Sequence, residues 1–436
     1  MKFVIFFVVA ACGSDSVAPD PDPDPDPTTV TYWQSVEPIF YTNCVGCHTA
    51  GGIAPFAIDD PDTASAFAPL IAEQTAARIM PPWPPGGDTP PLAHTRSLTQ
   101  EQIDTIGAWV SGGMQLGDPT RPQPHVEPEL VDIGATELGF DLGLDYVPDT
   151  ALTDDYRCFL ADIGATELRM ATGFKVTPGN RATVHHVIVS MVAGSDRGAV
   201  EALDAETPDR AGWPCVGGAI PDGTDVQLVG SLGSWVPGVT AVAFPAGTGN
   251  PVPAGALAVI QMHYNLLGGS DPDRTRVDVA LAPSEANATL IRLGGASLIK
   301  RNLTIPANTG SVVQETTLTV QQWRQLRGQA PFPGGKGYAL GAGGHMHLIG
   351  RRISITSGTR TLLDIPAWSF HWQGQYQFVT PIELQNTDSL TIRCEYDNSN
   401  EHRLALGLDP NVPVTWGEGT HDEMCLASVM MVDRLP

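Results

Sequence analysis

Five consecutive residues near the start of the chain have the composition and spacing of a redox-cofactor attachment site. They read Cys44-Val45-Gly46-Cys47-His48, a Cys-x-x-Cys-His run of the kind that binds c-type haem covalently. The two thiols can form thioethers with the vinyl groups of a porphyrin, and the histidine is placed to supply an axial imidazole to the iron. The alternative is half of a structural zinc site, which needs a second pair of cysteine or histidine ligands.

A proline-rich segment downstream of this run carries a candidate for the other axial ligand. Residues 78–85 read Arg-Ile-Met-Pro-Pro-Trp-Pro-Pro, a rigid, non-helical stretch from which the thioether of Met80 projects. We therefore expect Met80 to be the sixth haem ligand, with Met114 and His94 as competing candidates. The arrangement resembles small class I c-type cytochromes, in which a methionine on an extended loop completes the coordination.

Two helices are expected to hold these ligands. Apolar residues recur at helical spacing over 36–40, just before Cys44, so this helix would deliver the haem-binding run. A second helix is predicted to begin at a capping box formed by Thr99 and Gln102 and to end at a pair of glycines. Residues 32–118 therefore predict a small all-α cytochrome c domain.

Three histidines in two β-prone segments form a candidate metal site. His185 and His186 lie in the run Thr-Val-His-His-Val-Ile-Val-Ser-Met, and His263 lies in Ile-Gln-Met-His-Tyr-Asn. Neighbouring side chains on a regular strand point to opposite faces, so both members of the doublet can reach one ion only at a β-bulge or a strand end. Each histidine alone is typical of an ordinary buried or surface imidazole, whereas together they predict a metal ion.

A histidine pair and a methionine near the end of the chain form another candidate site. His345 and His347 are separated by one residue, so on a strand they share a face, and the glycines before them allow close backbone approach. Met424, in the run Asp-Glu-Met-Cys, offers a thioether. Two imidazoles and one thioether suit a copper ion that must be stable as Cu(I).

The segments around these histidines are short, β-prone and separated by turn residues, which is the pattern of an all-β sandwich. The predicted strands include residues 183–191, 256–266, 352–356 and 389–396. The β-prone part is about 310 residues long, which exceeds one sandwich. We expect two sandwich domains in tandem, over residues 130–284 and 285–436, after a proline-rich joint at 119–129.

The cysteines divide by position along the chain. Residues 1–12 form a short apolar run that ends at Cys12, is too short to span a bilayer, and resembles a bacterial lipoprotein signal whose cysteine is acylated. The alternative is a truncated secretory signal with an incidental cysteine. Apart from the haem pair, four cysteines remain for two disulfides in an oxidising compartment, with three pairings open. These are Cys158, Cys215, Cys394 and Cys425.

Charge and composition indicate where the protein works and what it does not bind. Residues 13–31 contain repeated Asp-Pro pairs, which predict an extended, self-repelling spacer. Asp and Glu outnumber Lys and Arg by 48 to 24, so we expect no nucleic-acid partner, and a basic electron donor fits the charge. We expect an exported protein, anchored by lipid to a membrane in the bacterial periplasm or cell envelope.

From about residue 130 to its end, the chain resembles the ascorbate-dependent type II copper monooxygenases, the family of peptidylglycine α-hydroxylating monooxygenase and dopamine β-monooxygenase. The matching segments follow the family's order with similar separations. They are Val184-His185-His186, Gln261-Met262-His263-Tyr264, His345-Met346-His347 and Asp422-Glu423-Met424-Cys425. The resemblance implies two sandwich domains of jelly-roll type, each with one copper.

The resemblance also implies which residues do what. The electron-transferring copper would be bound by His185, His186 and His263. The oxygen-activating copper would be bound by His345, His347 and Met424. The implied disulfides join Cys158 to Cys215 and Cys394 to Cys425.

The chain departs from the family at the positions that hold a peptide substrate. The peptide hydroxylase binds its substrate's carboxylate with an arginine two residues before the His-x-His pair and a tyrosine four residues after the methionine ligand. Gly343 and Ser428 stand at those positions. A peptide with a carboxy-terminal glycine is therefore not the expected substrate.

Together these features predict an exported haem- and copper-containing monooxygenase that hydroxylates a C–H bond of a small organic substrate with O₂. One covalent haem c would receive electrons from a periplasmic redox protein or an ascorbate-like reductant and pass them to two copper ions, because fusion raises the effective concentration of the donor. One alternative is a non-catalytic electron-transfer or copper-handling lipoprotein. Another is a haem-only sensor, which leaves the β-strand histidines unexplained.

Overall fold

The computed structural model describes residues 29–124 and 131–436, with short gaps inside these ranges. The gaps are residues 53, 153, 217, 222, 238, 240, 267–268, 288, 293, 327, 371 and 418–420. Cys12, the predicted signal, most of the spacer and part of the proline-rich joint lie outside the described residues. Within the described part of the chain, every helix is too short or too polar to cross a membrane.

The first described unit is helical. A π-helical turn at Tyr32–Val36 runs into α1, and two longer helices follow. These helices are α1 (Glu37–Asn43), α2 (Pro61–Ala76) and α3 (Gln100–Ser111). Tyr32, Phe40 and Trp109 are fully buried at their centre, and their rings contact one another. Helices α1 and α3 confirm the two that the sequence predicted, including the capping box at Thr99.

The rest of the chain is mostly β. In chain order its strands are β1 (Thr136–Asp141), β2 (Asp154–Asp162), β3 (Arg169–Thr177), β4 (Val184–Val192), β5 (Trp213–Pro214), β6 (Leu228–Trp235), β7 (Val242–Ala243), β8 (Thr248–Val252), β9 (Leu257–Asn265), β10 (Arg276–Leu281), β11 (Ile291–Arg292), β12 (Gly294–Ile299), β13 (Thr304–Ile305), β14 (Thr309–Thr319), β15 (Lys336–His345), β16 (Gly350–Ser357), β17 (Arg360–Ile365), β18 (Gln375–Gln385), β19 (Ser389–Asn398), β20 (Val414–Thr415) and β21 (Leu426–Val432). Three short helices are α4 (Arg197–Ala205), α5 (Val320–Leu326) and α6 (Asn400–Ala405).

The strands up to β11 form two sheets with a shared core. One sheet has the order β5-β2-β9-β4-β6, and the other has the order β1-β10-β3-β8-β11, with β7 paired to β3. Apolar residues of both sheets, including Phe174, Val187 and Ile260, are buried in one cluster. A disulfide between Cys158 and Cys215 ties β2 to the segment after β5. The order of these strands in the two sheets positions β4 beside β9.

The strands from β12 onward form another pair of sheets. Their orders are β12-β21-β15-β18 and β14-β19-β16-β17, and β13 pairs separately with β20. The buried cluster between them includes Trp323, Ile353 and Tyr396. A disulfide joins Cys394 on β19 to Cys425 beside β21. Both disulfides are the pairs that the resemblance implied, and the strand predicted around residue 390 is observed as β19.

The proline-rich segment of the helical unit lies along the edge of this second pair of sheets. The amide of Ala93 donates to the carbonyl of Gln377 at 2.9 Å, and the amide of Val379 donates to the carbonyl of Pro91 at 2.9 Å. Further along, the amide of Gly86 donates to the carbonyl of Asp364 at the same distance, 2.9 Å. The segment thus covers the exposed edges of β18 and β17, which would otherwise present unpaired backbone groups.

Candidate metal centres

Among the residues that the structure describes, one group of histidine, cysteine and acidic side chains converges closely enough to hold a metal ion. It consists of His185, His186 and His263, whose ligand atoms lie within 4.8 Å of one another. The Nδ1 atom of His263 is 3.1 Å from Nδ1 of His185 and 3.2 Å from Nδ1 of His186. Three imidazole nitrogens at one point are a donor set that suits copper.

A β-bulge allows both members of the histidine doublet to reach this point. On the ladder between β4 and β9, Val184 pairs with Tyr264 and His186 pairs with His263, so His185 is the extra residue and the register shifts across it. A bulge places two successive side chains on the side of one partner residue. The irregularity that the sequence required is therefore present at the doublet itself.

Two neighbours orient the His263 ring. Its Nε2 atom donates to Oδ1 of Asp154 at 2.8 Å, so the neutral ring carries its lone pair on Nδ1, the atom that faces the other two histidines. The ring of Tyr156 stacks on His263 with centroids 4.1 Å apart and planes at 7°. Burial, followed by the charges of the neighbouring imidazoles, lowers the pKa of His186 well below its usual value. The His186 imidazole is thus favoured in its neutral form, which is the form that binds metal.

His345 and His347 present the opposite ring nitrogen. Nδ1 of His345 donates to Oε1 of Gln373 at 2.5 Å, and Nδ1 of His347 donates to the carbonyl of Asp422 at 3.2 Å. In both rings the lone pair is therefore on Nε2. Their ring centroids are 5.0 Å apart. Two imidazoles with fixed tautomers and neighbouring positions can bind one ion together.

The pairing of β15 with β21 brings the chain around Met424 close to the histidine pair. His345 pairs with Leu426, and Nδ1 of His347 donates to the carbonyl of Asp422. The backbone on both sides of Met424 is therefore held beside the two histidines. Met424 is 5% exposed, and its carbonyl accepts from the Tyr396 hydroxyl at 2.8 Å. The adjacent Cys425 disulfide fixes the same stretch of chain to β19.

A buried carboxylate that sequence reasoning did not identify holds this arrangement together. Glu423 is 0% exposed and accepts from the backbone amides of His347 at 2.8 Å, Ile349 at 2.9 Å and Met424 at 3.2 Å. Burial raises the pKa of Glu423 to about 8, although these amide donors act to lower it. Its only sequence signal was its position between Asp422 and Met424.

The side-chain amide of Gln375 lies beside Gly343 and Ser428, the two positions at which the chain departs from the resembled family. Gly343 pairs with both Ser428 and Gln375, and a Cβ at Gly343 would lie 2.4 Å from the Gln375 side-chain nitrogen. The Ser428 hydroxyl donates to Oε1 of Gln375 at 2.9 Å. Gly343 is two residues from His345 on β15, so this neutral group lies on the same face of the sheet as the histidine pair.

The Cys44–His48 run follows α1 directly. Nδ1 of His48 donates to the carbonyl of Phe56 at 3.0 Å, so the lone pair of the neutral ring is on Nε2. Cys44 and Cys47 are outside the disulfides, and burial raises the pKa of Cys44 to about 12. Within the described residues, the donor atoms of this run do not converge on one point.

The candidate axial ligands of the haem run lie in different surroundings. Met80 is half-buried, and its amide donates to the carbonyl of Gln74 at 3.2 Å. Met114 packs against the helical core, and His94 is exposed on the segment that contacts the last domain. Met80 therefore lies in the proline-rich segment, four residues beyond the end of α2.

Comparison with known proteins gives one family match, in the last part of the chain. Residues 299–436 match the family model described as copper type II ascorbate-dependent monooxygenase, C-terminal domain. No curated protein matches the chain. Among solved structures, a xanthan lyase from Paenibacillus aligns with 75% of this chain and 29% of its own, at 10% identity and a TM-score of 0.18, and this likeness carries no argument. The matched domain contains the His345 and His347 pair and Met424.

Proposed function

We propose that this chain, whose last domain is of the copper type II ascorbate-dependent monooxygenase kind, hydroxylates a C–H bond of a small organic substrate with O₂. The observation that carries the proposal is the presence of two different donor sets. His185, His186 and His263 turn their Nδ1 atoms to a common point. His345 and His347 carry their lone pairs on Nε2, and the amides of His347 and of the buried Met424 donate to the same Glu423 carboxyl group.

Copper bound at these two sets supplies one-electron chemistry, and hydroxylation with O₂ consumes two electrons, with one oxygen atom entering the product and the other leaving as water. The chain's own residues prepare the sites before any ion binds. Asp154 and Gln373 fix the tautomers of His263 and His345. Met424 contributes soft sulfur, which favours the reduced ion. The donor set with Met424 is therefore our proposed oxygen site, and the three-histidine set is our proposed electron-transfer site.

The polar groups near His345 support an uncharged substrate. Gln375 and Ser428 present an amide and a hydroxyl, which can donate to or accept from a neutral polar group. Neither can form the ion pair that a substrate carboxylate requires. We therefore place a neutral organic molecule, rather than a peptide with a free carboxylate, beside His345.

The helical unit is proposed as the electron donor of the same molecule. Cys44, Cys47 and His48 would hold one haem c, with Met80 as the sixth ligand, and the hydrogen bond from His48 Nδ1 to Phe56 would leave the Nε2 lone pair to bind the iron. A periplasmic redox protein or an ascorbate-like reductant would supply the electrons. Export and lipid attachment through Cys12 complete this proposal, with domain limits at 32–118, 130–284 and 285–436.

Oxygen consumption by the haem- and copper-loaded protein tests this function. We expect substrate-dependent O₂ uptake with at least one member of a panel of neutral benzylic, aliphatic and amide-containing compounds. Met424→Leu removes the thioether at nearly constant volume and should reduce this uptake by about tenfold or more. Met346→Leu is the matched control, because Met346 is fully buried in the core cluster of the same domain, and it should retain most of the uptake.

The outcomes separate the enzyme from its alternatives. Two bound copper ions with no substrate-dependent uptake across the panel, and with Met424→Leu equal to its parent, would favour a non-catalytic electron-transfer or copper-handling protein. Haem without copper would favour the sensor. Substrate-dependent uptake that Met424→Leu abolishes and Met346→Leu keeps would support monooxygenation.

A further inference from the structure

The helical unit contacts both β domains through one short stretch of chain. Beyond the backbone bonds along β18, Nη1 of Arg96 donates to the carbonyl of Pro237 at 3.3 Å, in the first β domain. The side chain of Gln377, on β18, donates to the carbonyl of Ala243 at 2.6 Å. Strand β18 is therefore contacted by the helical unit and by the first β domain, while it belongs to the domain with the His345 site.

Two aromatic rings meet at this junction. The Trp83 ring lies edge-on to the Tyr376 ring, with centroids 5.3 Å apart and planes at 81°. The guanidinium of Arg96 lies 5.9 Å from the Trp83 ring centre. Trp83 is three residues beyond Met80, the proposed axial ligand. The indole thus belongs to the helical unit, and the Tyr376 ring belongs to the domain with the His345 site.

Tyr376 is connected to His345 through Gln373. Tyr376 is 5% exposed at the start of β18, and a Cβ at Gly374 would lie 3.2 Å from the Tyr376 hydroxyl, so the ring lies back along its own backbone. Gln373 is three residues before Tyr376, and its Oε1 accepts from Nδ1 of His345 at 2.5 Å. Covalent bonds and one short hydrogen bond therefore join the buried tyrosine to the histidine.

We propose that Trp83 and Tyr376 form the electron-transfer bridge between the haem domain and the copper site at His345, with Gln373 as the last link. This inference rests on the proposed function. In the step, one electron leaves ferrous haem, which becomes ferric, and enters Cu(II), which becomes Cu(I); no bond forms or breaks and no proton moves. An external one-electron reductant then restores the ferrous haem. The rate falls steeply with distance, so aromatic contact between the domains speeds the transfer.

Anaerobic rapid mixing tests the bridge without substrate or turnover. Full-length protein with ferrous haem is mixed with Cu(II), and the absorbance of the haem is followed as it is oxidised. We expect Trp83→Leu and Tyr376→Leu to slow this oxidation by about tenfold or more, and Trp83→Phe, which keeps a ring at the contact, to slow it less. Trp323→Leu is the matched control, since Trp323 packs in the same core cluster as Tyr376 but lies on α5.

Each result has one meaning. Copper content and the haem spectrum of every variant establish that both cofactors are bound. If Trp83→Leu and Trp323→Leu oxidise their haem as fast as the parent does, the bridge is wrong, although haem-to-copper transfer still stands. If copper fails to oxidise the parent's haem at all, the electron-feeding part of the proposed function fails. Slow oxidation in Trp83→Leu, with O₂ uptake supported by a small-molecule reductant unchanged, would establish the bridge.

Discussion

The two histidine sites differ in the structural elements that position their imidazoles. His185, His186 and His263 sit within one ladder of β4 and β9, and a bulge turns their Nδ1 atoms to one point. His345 is the last residue of β15, where it pairs with Leu426, whereas His347 lies beyond the strand and its amide donates to the buried Glu423. The first site is built within one strand pair, and the second combines the end of a strand pair with a buried carboxyl group.

This difference has a chemical counterpart. A site of three imidazoles held within one pair of strands has little room to rearrange. Such a site suits an ion that only gains and loses an electron. The second site combines two Nε2 donors with a thioether, and the neutral Gln375 and Ser428 lie on its face. A site that must admit O₂ and substrate needs an open position. Supporting each site through different residues allows the two to be disturbed separately.

The largest effect is expected from removing the buried carboxylate. Glu423→Ala leaves the amides of His347, Ile349 and Met424 without their acceptor, so the free energy of unfolding should fall by about 3 kcal/mol or more. Copper should be lost from the His345 site only. Urea unfolding and copper content measure both effects. Glu383→Ala, which removes an exposed carboxylate that pairs with Lys336, should cost less than about 1 kcal/mol. Equal losses in the two variants would contradict the assignment of Glu423 as the support of this site.

The next largest effect is expected from two substitutions, each of which should weaken copper binding at a different site. Asp154→Ala removes the acceptor of His263 Nε2 and should weaken copper binding at the three-histidine site by about 10 to 100-fold. Gln373→Leu removes the acceptor of His345 Nδ1 and should weaken the other site by a similar factor. Competitive titration with a copper chelator measures both affinities in each variant. Weakening of both sites by either substitution would show that the two sites are one cooperative unit.

A smaller effect is expected from the ring that stacks on the first site. Tyr156→Leu keeps apolar volume beside His263 but loses the stacked contact, which is worth about 0.5 to 1.5 kcal/mol. Copper affinity at the three-histidine site should therefore fall only a few-fold, and the affinity at His345 should not change. The same chelator titration detects this. A fall as large as that in Asp154→Ala would mean that Tyr156, rather than the carboxylate, orients the ring.

Local patterns in the sequence predicted much of this molecule. The capping box at Thr99 and the apolar spacing before Cys44 predicted α3 and α1, because helix signals lie within a few residues of one another. The spacing of two residues between His345 and His347 predicted that both side chains lie on the same face of a strand, again because the signal is local. Helix α2 was not predicted, although Asp60 caps it and Pro61 occupies its first turn, since Pro69 interrupts the pattern inside it.

Contacts between distant segments could not be predicted in the same way. Gln375 lies 53 residues from its partner Ser428, and nothing in its neighbours in sequence indicates that its side chain lies beside Gly343. Trp83 reads as one aromatic residue among prolines until Tyr376 is known to lie against it. Glu423 reads as a surface acid until its burial is known. Each of these residues acquires its role through strand pairing or domain contact, which single-segment patterns do not contain.

We propose that this chain holds two chemically distinct copper ions, and X-ray absorption of the Cu(I)-loaded protein tests this most directly. We expect two copper ions per chain, with sulfur scattering from one of them. In Met424→Leu this sulfur signal should disappear while the imidazole signal remains, and Met346→Leu should match the parent. One copper per chain would contradict the presence of two sites, and a sulfur signal unchanged in Met424→Leu would contradict Met424 as a ligand.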